Sequence, residues 1–162
     1  MNRLALLTLT ASLLVSGGAG GAVAAERCTF LQPIGGTGTT PIVTKRVQRP
    51  RLSPLGMVLG QTNWNTDFSV DQPYSNFKFF FTAVSSDAAA KYPVEGFMKF
   101  NDGSSLQVIN ELMTPPIGTG RMFGPFPAIA GKQASQMNFK VGSSSDPDST
   151  GFSYRISVQG CR

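Results

Sequence analysis

Phe77-Lys78-Phe79-Phe80-Phe81-Thr82-Ala83-Val84 places four phenylalanines in five positions and follows them with the β-branched Thr82 and Val84. Read as a strand, alternate side chains point to opposite faces. Phe77, Phe79, Phe81 and Ala83 then form one wholly apolar face, and Lys78, Phe80, Thr82 and Val84 form a mixed one. A strand of this kind belongs inside a sheet with a packed core on one side.

The same period of two recurs on either side. Trp64, Thr66, Phe68 and Val70 alternate with Asn63, Asn65, Asp67 and Ser69. Met137, Phe139 and Val141 alternate with Gln136, Asn138 and Lys140, and Phe152, Tyr154, Ile156 and Val158 alternate with Ser153, Arg155, Ser157 and Gln159. Residues 94–100 and 106–112 flank Asn101-Asp102-Gly103, which reads as a hairpin because Asn and Gly tolerate positive φ. Setting Phe100 opposite Leu106 pairs Met98 with Val108, Lys99 with Gln107 and Glu95 with Glu111. A one-residue shift mixes the faces. Arg121 to Gly124 reads as a short strand stopped by Pro125 and Pro127, and residues 85–91 as a loop or one or two helical turns before Pro93. Six to eight short strands with no long helical period predict an all-β fold. The expected form is an antiparallel β-sandwich, jelly-roll-like or immunoglobulin-like. The Cys-Trp-Cys spacing of immunoglobulin domains is not met, since both cysteines lie near the ends.

Residues 1–25 have the layout of a secretory signal peptide: Arg3, an apolar run over 4–15, and small residues leading to Ala24 and Ala25. Glu26-Arg27 directly before Cys28 is the wrong context for lipid attachment. Residues 26–55 then read as an irregular basic arm or edge strand, rich in Gly and Pro over 29–41, and 56–162 as the sandwich domain. The expected location is secreted or periplasmic. In that oxidising setting Cys28 and Cys161, the chain's two cysteines, are expected to form a disulfide closing nearly the whole domain.

The net charge of +5 is unevenly placed. Between residues 26 and 55, Glu26 is the lone acid against Arg27, Lys45, Arg46, Arg49 and Arg51, whereas basic and acidic residues balance from 56 to 162. Lys45, Arg46, Arg49 and Arg51 are candidates for binding an anionic polymer, or for guarding a sheet edge against edge-to-edge pairing. No aromatics interleave them, which argues against single-stranded nucleic acid.

Histidine is absent, which removes the commonest general base and transition-metal ligand. With both thiols paired no thiolate nucleophile remains, and no nucleophile elbow or phosphate-binding glycine loop occurs. Ser75-Asn76-Phe77-Lys78 has Ser-x-x-Lys spacing, but on a strand residues three apart point to opposite faces. The remaining enzymatic route is a carboxylate pair, Glu95 with Glu111, or Asp102, acting on a glycoside. Asp146 and Asp148 in the Ser-rich loop are candidate Ca²⁺ ligands, although Pro147 separates them and no third carboxylate is near; no other cofactor is expected. Trp64, Tyr74 and Tyr92 are candidates for stacking on sugar rings. Parity places Trp64 with the core residues Phe68 and Val70, while Tyr74 and Tyr92 stand at strand ends beside Pro, where exposure is easier. Phe80 shares its face with Lys78 and Thr82 and marks a place for a ligand if that face is only partly covered. These readings favour a non-catalytic exported protein that binds a polysaccharide or an extracellular protein partner. A structural subunit of a surface layer and a carboxylate-dependent glycosidase are the alternatives.

Overall fold

The phenylalanine segment lies within a ten-residue strand, β7 (Asn76–Ser85), at the centre of the first of two sheets. The computed structural model describes residues 25–36, 38–48, 51–60, 63–85, 91–114, 116–142 and 152–162. The signal-peptide reading (apart from Ala25), Arg49, the 86–90 stretch, Asp146 and Asp148 lie outside them.

In chain order the other strands are β1 (Cys28–Phe30), β2 (Gln32–Pro33), β3 (Val43–Val47), β4 (Arg51–Leu52), β5 (Val58–Leu59) and β6 (Asn63–Ser69). After β7 come β8 (Tyr92–Phe100), β9 (Ser105–Met113), β10 (Gly120–Pro127), β11 (Ala134–Gly142) and β12 (Phe152–Cys161). The first sheet runs β1-β12-β7-β10, with β3 also pairing β12. The second runs β2-β6-β11-β8-β9. All pairings are antiparallel. The two sheets pack face to face as a β-sandwich, and β4 and β5 form a separate two-stranded sheet among the described residues.

The core lies between the faces that alternation predicts. Phe77, Phe79, Phe81 and Ala83 are buried from β7, with Tyr154, Ile156 and Val158 from β12. Opposite them lie Phe68, Met137, Phe139, Val141, Val94 and Met98 from the second sheet. The Phe139 ring is central: its centroid is 5.7 Å from that of Phe79, 5.8 Å from Phe81 and 6.4 Å from Phe123. Its truncation to Ala would cost about 3–5 kcal/mol, the usual range for a buried Phe.

Three local expectations are corrected. Residues 29–41 are not wholly irregular, since β1 pairs β12 and β2 pairs β6. Two- and three-residue strands are too short to carry a period. Strand β10 does not stop before Pro125 but continues to Pro127. It tolerates proline because it is an edge strand with a register shift between Phe123 and Phe126.

The hairpin register also differs. Met98 pairs Leu106, Lys99 pairs Ser105 and Phe97 pairs Gln107. A bulge between Gly96 and Phe97 then sets Gly96 opposite Ile109 and Glu95 opposite Asn110. The turn fixes this pairing through Phe100 N–H to Ser104 O at 2.9 Å and Gly103 N–H to Phe100 O at 3.1 Å. The bulge brings Ile109 and Met113 into the core and leaves Leu112 exposed. Gly96 makes room for it, because a Cβ there would lie 2.7 Å from Ile109 Cδ1.

Candidate binding face

A sandwich has two outer faces, and here they differ in chemistry. On the second sheet, Asp67, Asn138, Lys99, Phe97, Lys140 and Glu95 stand on neighbouring strands by register. Their polar groups are paired with one another. Asp67 Oδ1 accepts from Lys99 Nζ at 2.8 Å and from Asn138 Nδ2 at 3.0 Å. Glu95 accepts from Lys140 Nζ at 2.6 Å and from Gln107 Nε2 at 3.3 Å. This is a polar surface whose charges are satisfied internally.

The outer face of the first sheet is different. Met122, Phe80 and Ser157 stand side by side on β10, β7 and β12. Phe30 on β1 lies one pair further along, opposite Gln159, and its ring centroid is 6.4 Å from that of Phe80 at an interplanar angle of 58°. Ser157 between them is buried; Phe30 is 45% exposed and Met122 48%. Phe80 is half-buried, so its mixed face is only partly covered there. Phe30, Phe80 and Met122 form an apolar row across a sheet whose neighbouring outward residues are Thr82, Gln159 and Arg155, with Arg46 further along opposite Ser153. Arg155 and Arg46 are exposed. Lys78 at the border is held by the carboxylate of Glu26, which also accepts from Asn76 Nδ2 at 2.6 Å. These bonds hold the Glu26 carboxyl below its ordinary range, the Lys78 hydrogen bond contributing most.

The other residues singled out by sequence go elsewhere. Trp64 packs against the core, donating its indole N–H to the Arg46 carbonyl at 2.6 Å, with Lys45 Nζ 4.9 Å from its ring centroid. Lys45 points inward with Val43 and Val47, and its ammonium donates to Asn65 O at 2.6 Å, joining the two sheets at one edge. Burial lowers its pKa, against the opposing charge of Asp67. Of the basic cluster, Arg46 lies on the outer face, and Arg51 in the separate β4–β5 ribbon.

Tyr74 and Tyr92 are not exposed, contrary to their strand-end positions. Tyr92 is 0% exposed and packs 6.4 Å from the Phe81 ring. Tyr74 is 8% exposed; its hydroxyl donates to Asp71 Oδ1 at 3.1 Å, accepts from Gln72 Nε2 at 2.8 Å and shares a hydrogen bond with Thr29 Oγ1 at 3.0 Å. Beside it is a cleft of about 250 Å³ lined by Val70, Tyr74, Phe77, Ala128, Ile129 and Lys132 among others. Its cation is already engaged, since Lys132 Nζ donates to Ser104 Oγ at 2.6 Å and Asp102 Oδ2 at 3.1 Å.

Glu95 and Glu111 do not form a pair. Glu95 faces Asn110, and Glu111 is bonded to Arg121 at 2.6 Å. The bulge separates them by turning β9 over beyond Gln107. Asp102 is exposed, and its carboxyl is pulled down to about 2, chiefly by hydrogen bonds from Ser104 and then Lys132. A general acid needs the opposite shift. Among the described residues the one grouping of three potential metal ligands is Glu26, Cys28 and Cys161. Its sulfurs are joined to each other in the disulfide, so they are not free thiolates.

Phe30 and Met122 are the members of the face that alternation did not reveal. Phe30 lies in a three-residue strand, and Met122 meets Phe80 only through a cross-strand register. The parity of Leu31, which is 2% exposed, is the one signal that points Phe30 outward. Comparisons with protein-family models, curated proteins and solved structures found no match to this chain.

Proposed function

We propose that this chain is an exported, non-catalytic β-sandwich that binds an acidic polysaccharide on the outer face of its first sheet. The observation that carries the reading is the row of Phe30, Phe80 and Met122 with Arg155 two positions along β12 from Ser157. Large apolar side chains exposed side by side on a sheet face are unfavourable in water unless something covers them. A sugar ring presents an apolar C–H face to an aromatic ring and hydroxyls to its surroundings, which suits Phe30 and Phe80 bordered by Thr82 and Gln159. The exposed Arg155 guanidinium supplies attraction to carboxylate or sulfate substituents. The disulfide is compatible with an extracellular or periplasmic location. Among the described residues no helix is long and apolar enough to cross a membrane.

The test is co-sedimentation with a panel of insoluble neutral and acidic polysaccharides. Saturable binding to acidic members is expected, weakened by salt and reduced about tenfold by Phe80→Ala or Phe30→Ala. Neither substitution touches the core face. Absence from every pellet, or binding unchanged in both variants, overturns the proposal. A second reading, assembly into a surface layer, draws on the same apolar row and on the edge positions of β9 and β10 among the described strands. Light scattering separates the two, since a concentrated solution that stays monomeric speaks against assembly.

A further inference from the structure

The β4–β5 ribbon is a separate feature from the binding face. Arg51 pairs Leu59 and Leu52 pairs Val58, and neither strand joins the large sheets. The turn is closed locally: Ser53 N–H donates to Met57 O at 2.8 Å, Gly56 N–H to Ser53 O at 2.9 Å and Met57 N–H to Ser53 Oγ at 3.0 Å. Gly56 adopts φ of 76°, a left-handed conformation that suits glycine. The ribbon is therefore built, yet Leu52, Leu55, Met57 and Leu59 stand outside the core. Leu52 is 75% exposed, Leu55 83%, Met57 57% and Leu59 50%.

Two observations say what covers it. Leu59 shares the Arg51 side of the ribbon and Leu52 the other, so both faces and the turn present apolar groups. A protein groove covers one face of a ribbon, whereas a fluid apolar medium covers all of it. The charge is also one-sided, since no Asp or Glu occurs between Arg27 and Thr66. Exposed Arg51 stands at the base of the ribbon and exposed Arg46 on the preceding strand. An apolar tip with a cationic base is the chemistry of a segment that settles at the headgroup–acyl boundary of an anionic bilayer. Only shallow entry is compatible with a two-stranded ribbon, whose outer backbone groups need water or headgroup partners.

We propose that residues 51–59 form a membrane-surface anchor, with Leu52, Leu55, Met57 and Leu59 entering an anionic phospholipid bilayer and Arg51 and Arg46 held at its phosphates. The full chain is mixed with vesicles of phosphatidylcholine alone or phosphatidylcholine with phosphatidylglycerol, and sedimented. Binding to the anionic vesicles is expected, weakened by salt. It should fall about tenfold or more in Leu55→Asp/Met57→Asp, whose melting temperature should match the parent because both sites are exposed. Arg51→Glu should also weaken it. Polysaccharide binding at the first-sheet face should survive Leu55→Asp/Met57→Asp, so the two proposals stand or fall separately. No binding to anionic vesicles overturns the anchor, including the case in which a protein is the true partner. So does vesicle binding that persists in Leu55→Asp/Met57→Asp, or that is lost instead in Phe80→Ala.

Discussion

Gly160→Ala tests how tightly the end of the sandwich is built around Tyr74. Gly160 lies on β12 opposite Phe77 and Thr29, and the Tyr74 ring rests on it. A Cβ at this position would fall 2.5 Å from Tyr74 Cγ and 2.6 Å from Cδ1 and Cδ2. Carbon atoms in contact prefer about 3.5–4.0 Å, so the ring must withdraw by about 1 Å. It cannot do so freely, because Thr29, Gln72 and Asp71 hold its hydroxyl and the Phe77 ring meets it edge-on at 5.8 Å. Three ring atoms are involved, which places the overpacking cost near the top of the usual range, about 3 kcal/mol. Replacing Gly by Ala within a strand returns about 0.5–1 kcal/mol. The net destabilisation is about 2 kcal/mol. In urea denaturation followed by circular dichroism with the disulfide intact, that lowers the midpoint by about 1 M for a typical slope. In a Tyr74→Ala background the clash is gone, and the same substitution should stabilise by about 0.5 kcal/mol. A double-mutant cycle therefore carries a coupling of about 2–3 kcal/mol. Equal effects of Gly160→Ala in the two backgrounds, or no effect in either, would refute the reasoning.

Two further outcomes follow from the same frame. The Cys28–Cys161 disulfide spans 133 residues, so replacing both cysteines by Ser should lower unfolding free energy by about 5 kcal/mol in the chain-entropy account; a loss under about 1 kcal/mol contradicts it. Burial raises the pKa of Tyr92 and Tyr154, with a hydrogen bond to Thr66 opposing the shift at Tyr154. Their contribution to stability is complete below the unfolded value of about 10 and is lost as pH rises from there toward the raised folded values. In an alkaline titration, with Tyr92→Phe and Tyr154→Phe used for assignment, their phenolate absorbance should appear only as circular dichroism is lost. Ionisation of either tyrosine at an ordinary pH in a folded protein counts against this burial.

Parity was legible in the sequence wherever a strand ran long enough to repeat it. The inward faces of β6, β7, β11 and β12 are those that alternation predicts. Register was not. Pairing Phe100 with Leu106 and pairing Met98 with Leu106 differ by two residues, so both keep the same side chains on the same face. Hydrophobic pattern cannot choose between them; the hydrogen bonds of the turn do. The bulge at Gly96 and Phe97 then reverses the parity of β9, which is why Glu111 reaches Arg121 on the opposite sheet instead of facing Glu95. Tyr74 and Tyr92 show the complementary failure. Their positions beside Pro73 and Pro93 marked strand ends, but an end is exposed only if nothing packs over it. Gly160, Thr29 and Phe81 come from distant parts of the chain to do so.

The proposed binding face depends on one strand, β12, and this bears on the placement of the cysteines. One edge of β12 carries β1 near its C-terminal end and β3 further back, while the other edge carries β7. Phe30 sits on β1, a three-residue strand too short to hold its place by ladder bonds alone. Its fastening comes from either side: Leu31 is buried and its N–H donates to Val158 O at 2.9 Å, while Cys28 is joined to Cys161 directly opposite. Arg27 and Arg162 continue the pairing beyond the bridge, with N–H to O distances of 3.0 and 2.9 Å. The covalent bond thus holds the flank of the aromatic row that the hydrophobic core reaches least. A disulfide elsewhere in the sandwich would restrict the unfolded chain as well, but it would leave the Phe30 flank held by non-covalent contacts alone. Fold stability and the geometry of the proposed binding face are therefore coupled through the same two sulfur atoms, a bond compatible with an extracellular or periplasmic location.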